Sequence, residues 1–312
     1  MRSTFAPASK AGVSAAPQME SEMKERERPN LRARLAQKDL LVAPGVFDGI
    51  SAKIADQMDF EALYMTGYGT VASHLGLPDA GIATYTDMVS RVAVIAGGSQ
   101  TPLIADGDTG YGGLLNVQHT VRGYEAAGAI AIQLEDQEFP KKCGHMLGRR
   151  VVPIEAMVDK IKVATASRDD SNFLIIARTD ARTTLGLDEA LRRAEAYSKA
   201  GADILFVESP ESIEEMRTIG RTFDKPLVAN MVEGGRTPVV DQKTLEELGY
   251  SLAIFPAFGF LAAGEALRKV YTHLKEQGSS VGGDVPLYKF SAFSELMGFG
   301  AVAEFDTTNG RK

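Results

Sequence analysis

A (β/α)8 TIM barrel is the fold this sequence predicts, and three observations predict it. Eight short β-rich runs alternate with amphipathic helical stretches between residues 40 and 277. Each β-rich run is mostly apolar along its length instead of alternating, which marks strands covered on both faces, as in a parallel sheet. Polar residues gather just after the runs end, at the face where barrels of this architecture carry their chemistry. A doubly wound open sheet is the alternative, because alternation of elements does not show that the sheet closes.

The elements follow in order. Residues 1–30 are expected to form a flexible N-terminal extension. Residues 1–18 are rich in Ala and Ser, no acid precedes Glu20, and residues 20–28 are a dense run of mixed charge, as in a solvated helix or linker. A transit peptide has a similar composition but normally holds more arginines. Strands are expected at 41–47, 62–66, 102–105, 129–134, 173–177, 204–207, 226–229 and 252–255. Helices are expected between them, among others at 116–127, 154–167, 187–200, 213–223 and 261–277. The helix at 187–200 opens Leu187-Asp188-Glu189, which puts acids at the positive end of the helix dipole, and Gly201 follows its last turn. No second block of distinct composition interrupts residues 31–278, so they read as one catalytic domain. Gly278 to Gly283 breaks the pattern before a C-terminal arm, residues 279–312.

Bulk properties exclude several classes. The chain has 312 residues, 34 Lys plus Arg against 41 Asp plus Glu, and a formal charge of −7. That balance gives no footprint for nucleic acid or for an anionic membrane. No apolar run reaches the roughly 18 residues that span a bilayer. A single cysteine cannot form an internal disulfide, which fits a reducing, cytoplasmic setting.

The strand ends are unusually polar. The first ends at Asp48, the second in Tyr64-Met65-Thr66-Gly67-Tyr68-Gly69, and the third runs into Asp106-Gly107-Asp108-Thr109-Gly110. The fourth ends Glu135-Asp136-Gln137, the fifth Arg178-Thr179-Asp180, the sixth Glu208-Ser209, the seventh Asn230-Met231-Val232-Glu233. Such a density of acids suits a hard divalent cation, Mg²⁺ with Mn²⁺ as a substitute, held by oxygen ligands and waters. Any one Asp can instead be a helix N-cap, a reading that fits Asp180 and Asp48 better than the pair Asp106 and Asp108. The Thr66–Gly69 stretch lacks the spacing of a dinucleotide fingerprint or a Walker loop, but it can present backbone N–H groups to a carboxylate. Arg178 reads as a bidentate clamp for a substrate carboxylate or oxyanion, or as the partner of a neighbouring acid such as Glu208. His119 and His273 read as ordinary helix residues.

The sole cysteine lies in Lys141-Lys142-Cys143-Gly144-His145. Neighbouring cations would stabilise its thiolate, which makes it a candidate catalytic group; the alternative is a structural thiol in a basic surface loop. The segment 138–150 is charged, contains Gly144 and Gly148, and is longer than most strand-to-helix connections, so it is expected to be a mobile lid.

These motifs, in this order, resemble those of the isocitrate lyase / phosphoenolpyruvate mutase superfamily, from about residue 40 to at least residue 278. Leu75-Gly76-Leu77-Pro78-Asp79 is a further landmark, and the Lys-Lys-Cys-Gly-His element resembles the short carbon–carbon lyase branch. The resemblance implies that Asp106 touches Mg²⁺ and that Asp79, Asp108 and Glu135 hold its waters. It implies that the backbone at Thr66 and Gly67, beside Tyr68, binds the α-carboxylate, and that Arg178 binds the 2-oxygen. Cys143 would protonate the carbanion, with Lys142 and His145 beside it, and Tyr64 would handle the 2-hydroxyl proton. Glu208, Asn230 and Gly144 would line the pocket. It further implies a homotetramer whose C-terminal helices are exchanged between subunits.

The expected reaction is cleavage of a substituted 2-hydroxy dicarboxylate, of the 2,3-dimethylmalate or 2-methylisocitrate type, to a 2-oxo acid and a carboxylate. Isocitrate lyase itself is disfavoured: residues 230–235 read Asn-Met-Val-Glu-Gly-Gly, and the chain has no Trp. Met146 follows Cys-Gly-His where methylisocitrate lyases commonly place Arg, which disfavours a tricarboxylate over a dicarboxylate. Phe255, Phe258, Phe260 and Met231 are candidates for an apolar pocket wall or for barrel core. Two other readings remain at this point: an oxaloacetate hydrolase or decarboxylase on the same scaffold, and a non-catalytic binding or scaffold barrel.

Overall fold

The computed structural model describes residues 30–37, 39–144, 146 and 148–310. A short helix, α1 (Leu31–Leu35), precedes β1 (Leu41–Val46) and α2 (Gly49–Asp56). Then come β2 (Leu63–Met65), α3 (Gly67–Leu75), α4 (Tyr85–Gly98), β3 (Leu103–Asp106), α5 (Leu114–Ala126), β4 (Ala129–Glu135) and α6 (Ile154–Ser167). The second half runs β5 (Leu174–Thr179), α7 (Arg182–Leu185), α8 (Leu187–Ala200), β6 (Ile204–Val207), α9 (Ile213–Thr222), β7 (Val228–Asn230), α10 (Gln242–Leu248), β8 (Leu252–Phe255) and α11 (Phe258–Gln277). The arm carries α12 (Phe290–Leu296) and α13 (Phe299–Asn309). Residues 1–29 of the expected extension lie outside the described residues.

The eight strands pair in the order β6-β5-β4-β3-β2-β1-β8-β7, every pair parallel. A parallel bridge between Leu205 and Leu227, with the Leu205 N–H donating to Pro226 O at 3.0 Å, brings β6 back to β7. The sheet therefore returns on itself, and the open-sheet alternative falls.

Successive strand residues point to opposite faces, and the core divides accordingly. Leu41, Ala43, Ala62, Tyr64, Ile104, Ala131, Ile176, Phe206, Val228 and Ile254 form a cluster inside the barrel. Leu63, Met65, Ala105, Leu134, Ala177, Leu205 and Ala229 belong to the larger cluster between strands and helices. Continuing each inward series two residues at a time gives Thr66, Asp106, Gln133, Glu135, Arg178, Glu208, Asn230 and Pro256. The polar mouth is thus the upward continuation of the barrel's own interior.

The lower end is closed by α1. Asn30 accepts from the Ala33 N–H at 2.9 Å and starts the helix. Leu31 and Leu35, four apart on one face, join the interior cluster. Arg32 donates to Ser171 O and Asp203, which precede β5 and β6, and Arg34 makes a two-point pair with Glu61. At the other extreme, α11 and α13 bury no residue, and Tyr271, Phe290, Phe299 and Val302 are exposed.

Candidate active site

At the carboxyl end of the barrel lies a cavity of about 200 Å³. Its polar side is formed by Tyr64, Thr66, Asp79, Asp106, Cys143, Gly144, Arg178 and Asn230. Its apolar side is formed by Tyr68, Met146, Val232, Ile254, Pro256, Ala257, Phe260 and Leu261.

The Thr66–Gly69 stretch is not a loop, as a glycine-rich run suggests, but the start of α3. Thr66 is the N-cap and makes no side-chain capping bond. The first-turn N–H groups, which have no partner within a helix, are presented at the mouth. A Cβ on Gly67 would stand 2.6 Å from Asp106 Oδ2. Only glycine lets the helix start approach that carboxylate so closely.

Four acids converge beside it. Asp106 Oδ1 accepts from the Asp108 N–H at 2.9 Å and from Gln133 Nε2 at 3.2 Å. Gln133 Oε1 in turn accepts from the Tyr64 hydroxyl at 2.7 Å. The two bonds fix the direction of the Gln133 amide; sequence reasoning missed this residue, whose only signal is its inward parity with Glu135. Burial raises the pKa of Asp106, pushes Asp108 up to about 7, and pushes Glu135 well up, with Lys141 or Arg178 opposing. The Tyr64 hydroxyl lies well above its ordinary value, first through burial and then through Asp106.

Lys141 stands among these acids and pairs with Asp79 and with Asp108 Oδ1, the latter at 2.5 Å without hydrogen-bond geometry. Burial works against its charge, but Asp108 and Asp79 hold its pKa well above the usual value. The sequence expectation that both lysines serve the thiol needs correcting here: the Lys141 ammonium is taken up by carboxylates. That of Lys142 is exposed and donates to Gly148 O.

The four acids fit a hard divalent cation. They supply oxygen donors only, and Glu135 Oε1 is buried with no hydrogen-bond partner. Among the described residues no three acid, His or Cys side chains stand as a ready-made cage.

Arg178 is buried and clamped from behind. Its Nε donates to Asp180 Oδ2 at 3.0 Å and its Nη2 to Asp180 Oδ1 at 2.9 Å. Glu208 lies 3.4 Å and Glu135 3.5 Å away, and the guanidinium stacks 5.1 Å from the Phe206 ring centre. Asp180 is therefore an anchor and not the helix cap that its position suggests; α7 has Ala181 as its N-cap, with no side-chain bond. Asp48, in contrast, is a cap, in a reciprocal pair with Ser51. Glu208 also accepts from Asn230 Nδ2 at 3.0 Å, so Glu208 stands behind the Arg178 and Asn230 that reach the cavity. Burial opposes the Arg178 charge, but Asp180 and Glu208 hold its pKa well up.

The segment 138–150 leaves the barrel through a neck. Gln137 and Val151 form an antiparallel bridge, and the Glu138 N–H donates to Arg150 O at 2.8 Å. The Gln137 side chain holds the Lys142 backbone from both sides, at 2.8 and 2.9 Å. Beyond the neck, Cys143 is half-buried and lines the cavity. A Cβ on Gly144 would stand 2.2 Å from Arg178 Nη2. His145 lies outside the described residues. Of the expected apolar residues, Phe260 lines the cavity, whereas Phe258 is 64% exposed and Met231 is fully buried in the outer core. Phe255 packs against that core.

Comparison with known proteins agrees with this geometry. Residues 31–275 match the family described as phosphoenolpyruvate phosphomutase. A 2,3-dimethylmalate lyase of Eubacterium barkeri is 49% identical over 276 residues, 88% of this chain and 96% of that protein. A 2-methylisocitrate lyase of Aeropyrum pernix is 41% identical over 92% of both chains. Among solved structures, oxaloacetate acetylhydrolase in complex with 3,3-difluorooxalacetate superposes with a TM-score of 0.86, at 36% identity, covering 91% of this chain and 97% of that one. The chain belongs to the PEP mutase/isocitrate lyase superfamily.

Proposed function

We propose that this carbon–carbon lyase cleaves a 2,3-dialkyl malate of the 2,3-dimethylmalate type, with Cys143 as the acid on carbon. The observation that carries the reading is the two-sided cavity. Cys143, Arg178 and the start of α3 face the polar half, and Ile254, Pro256, Ala257, Phe260 and Leu261 form a wall that suits alkyl groups. A third carboxylate, as in methylisocitrate, would meet that wall without a counter-charge. The 49% identity to a 2,3-dimethylmalate lyase supports the same choice.

The α3 N-terminus and Arg178 bind the carboxylate and oxygen at C2. The Tyr64 oxygen accepts from the 2-hydroxyl. The hydroxyl proton passes to the Tyr64 oxygen as that phenol gives its own proton to a water in the cavity; the oxygen's electrons form the C2=O bond, the C2–C3 bond breaks, and its electron pair passes to C3 and the adjoining carboxylate. Cys143 Sγ–H gives its proton to C3, which yields a 2-oxo acid and a short carboxylate; the thiolate then recovers a proton from solvent. The segment 138–150 keeps bulk water from the carbanion in the interval. Asp79, Asp106, Asp108 and Glu135 would hold Mg²⁺ or Mn²⁺ directly or through waters, and the ion would stabilise charge developing on the substrate oxygens.

The test is a substrate panel read by 2-oxo acid release. Release should be fastest from 2,3-dimethylmalate, slower from 2-methylisocitrate, and abolished by chelator. The second reading, hydrolysis or decarboxylation of oxaloacetate, draws on the oxaloacetate acetylhydrolase likeness; oxaloacetate consumed faster than either malate would install it instead. The same proposal covers assembly and setting: a cytoplasmic homotetramer with exchanged arms, supported by the exposed apolar residues of α11 to α13. A chain ended after Gly278 should then assemble from fewer subunits in light scattering; an unchanged number of subunits would remove the arm from assembly. No helix among the described residues is long and apolar enough to cross a membrane.

A further inference from the structure

We infer that Arg149 is a positioning residue: it fixes the Cys143 segment against Arg178 through Asp180, a carboxylate that the two guanidinium groups share. The inference rests on the lyase reading above and deepens it.

Arg149 lies between Gly148 and Arg150, both exposed, yet it is itself only 1% exposed. A buried guanidinium is costly unless its donors are met. Each end of this one meets a different part of the molecule. Nη1 pairs with Asp180 Oδ1. Nη2 donates to Thr183 Oγ1 on α7 at 2.5 Å. Nε donates at 3.1 Å to Met146 O, within the segment that carries Cys143. Asp180 Oδ1 is the same oxygen that receives Arg178 Nη2.

The two arginines are therefore not independent. Arg178 is aimed at the cavity by Asp180, and Asp180 is held from its other side by Arg149. The segment that Arg149 ties down also presses on Arg178 at Gly144, where there is no room for a Cβ, and its Gly144 O accepts from Ser209 Oγ at 3.1 Å. The position of the thiol and the position of the clamp are one geometric constraint. A planar fork with donors on three sides can satisfy it; a lysine ammonium keeps the charge but cannot reach all three acceptors.

Cys143 is the only thiol in the chain, so its alkylation reports the position of the segment without any substrate. In Arg149→Met, iodoacetamide should modify Cys143 several-fold faster than in wild type, measured well below the melting temperature. The kcat for 2-oxo acid release should fall about 10²-fold with little change in KM, the cost expected when reacting groups are misplaced by about an ångström. Arg149→Lys should fall between, and Thr183→Val should move in the same direction by less. A residue that only fills space would lower the melting temperature and leave both rates alone. Wild-type alkylation and kcat in Arg149→Met overturn the inference. If that variant does not fold, Arg149→Lys and Thr183→Val decide, and unchanged alkylation in both overturns it. If wild type turns over nothing in the panel, the lyase reading fails, while the alkylation rates still decide the role of Arg149.

Discussion

Glu135 and Asp136 are consecutive, both acidic and both buried, and their surroundings are opposite. Asp136 points out toward the helix layer. It accepts from Thr179 Oγ1 at 2.8 Å, the Asp180 N–H at 2.9 Å, Tyr197 Oη at 2.7 Å and Arg193 Nη1 at 3.1 Å. Glu135 points into the mouth, meets Arg178 at 3.5 Å through one oxygen, and leaves the other without a hydrogen-bond partner. Burial raises the pKa of both; bonds from Asp180, Tyr197 and Thr179 oppose it at Asp136, and chiefly the charge of Arg178 at Glu135. A buried carboxylate with both oxygens hydrogen-bonded helps hold a fold together. One left short of partners is kept for something that arrives.

The comparison breaks most visibly at the mouth. Cys143→Ser should lower kcat by about 10²–10⁴-fold while KM stays near wild type, because a hydroxyl is a far weaker acid than a thiol. Wild-type lyase turnover in that variant would make the thiol structural. The outer side should fail differently. Asp136→Ala removes one of the two carboxylates paired with the buried Arg193 guanidinium and strips the acceptor from Thr179, Tyr197 and the Asp180 N–H, and should cost about 3–5 kcal/mol in urea unfolding. Glu135→Gln should leave the urea midpoint at or above wild type and lose turnover. Equal midpoints for the two variants would erase the distinction.

The mouth acids also set a pH dependence. A carboxyl whose folded pKa is raised keeps its proton in the folded chain and gives it up on unfolding. Without metal, stability should therefore fall as pH rises from the ordinary carboxylate range, near ~4, through the value of about 7 at Asp108, and Glu135, pushed well up, prolongs the fall. Mg²⁺ competes with those protons, so the rise in melting temperature that it produces should grow across the same window. A Mg²⁺ shift equal at pH 5 and pH 8 would count against these acids as its site. The smallest effect is expected at Asp79, which meets Lys141: Asp79→Ala should lose about 10–100-fold in metal affinity or turnover, and Asp106→Ala more. The reverse order would exchange their roles.

Much of this was legible beforehand. The strands lie within a few residues of their expected places, and Tyr64, Thr66, Asp106, Arg178 and Asn230, which end or follow them, line the cavity. What the sequence withheld was phase. A strand that is apolar on both faces has no alternation to show which side a residue takes, so Glu135, Asp136 and Gln137 read alike until the barrel separates them. Asp180 was hidden by chemistry, since a helix cap and an arginine anchor call for the same side chain. Lys141 was hidden by distance: a neighbour of Cys143 in sequence, it is claimed in space by Asp79 and Asp108, which lie far from it along the chain. Nor did periodicity reveal α1, five residues long with two inward leucines.

That short helix bears on traffic. With Leu31 and Leu35 seated under an interior filled by Leu41, Ile104, Leu174 and Leu252, the lower end of the barrel is floored, and the cavity opens at the carboxyl end. Substrate and both products then share the carboxyl end, where Cys143 and Gly144 line the cavity. On the proposed reaction, accumulated 2-oxo acid should therefore compete with fresh substrate for that one mouth.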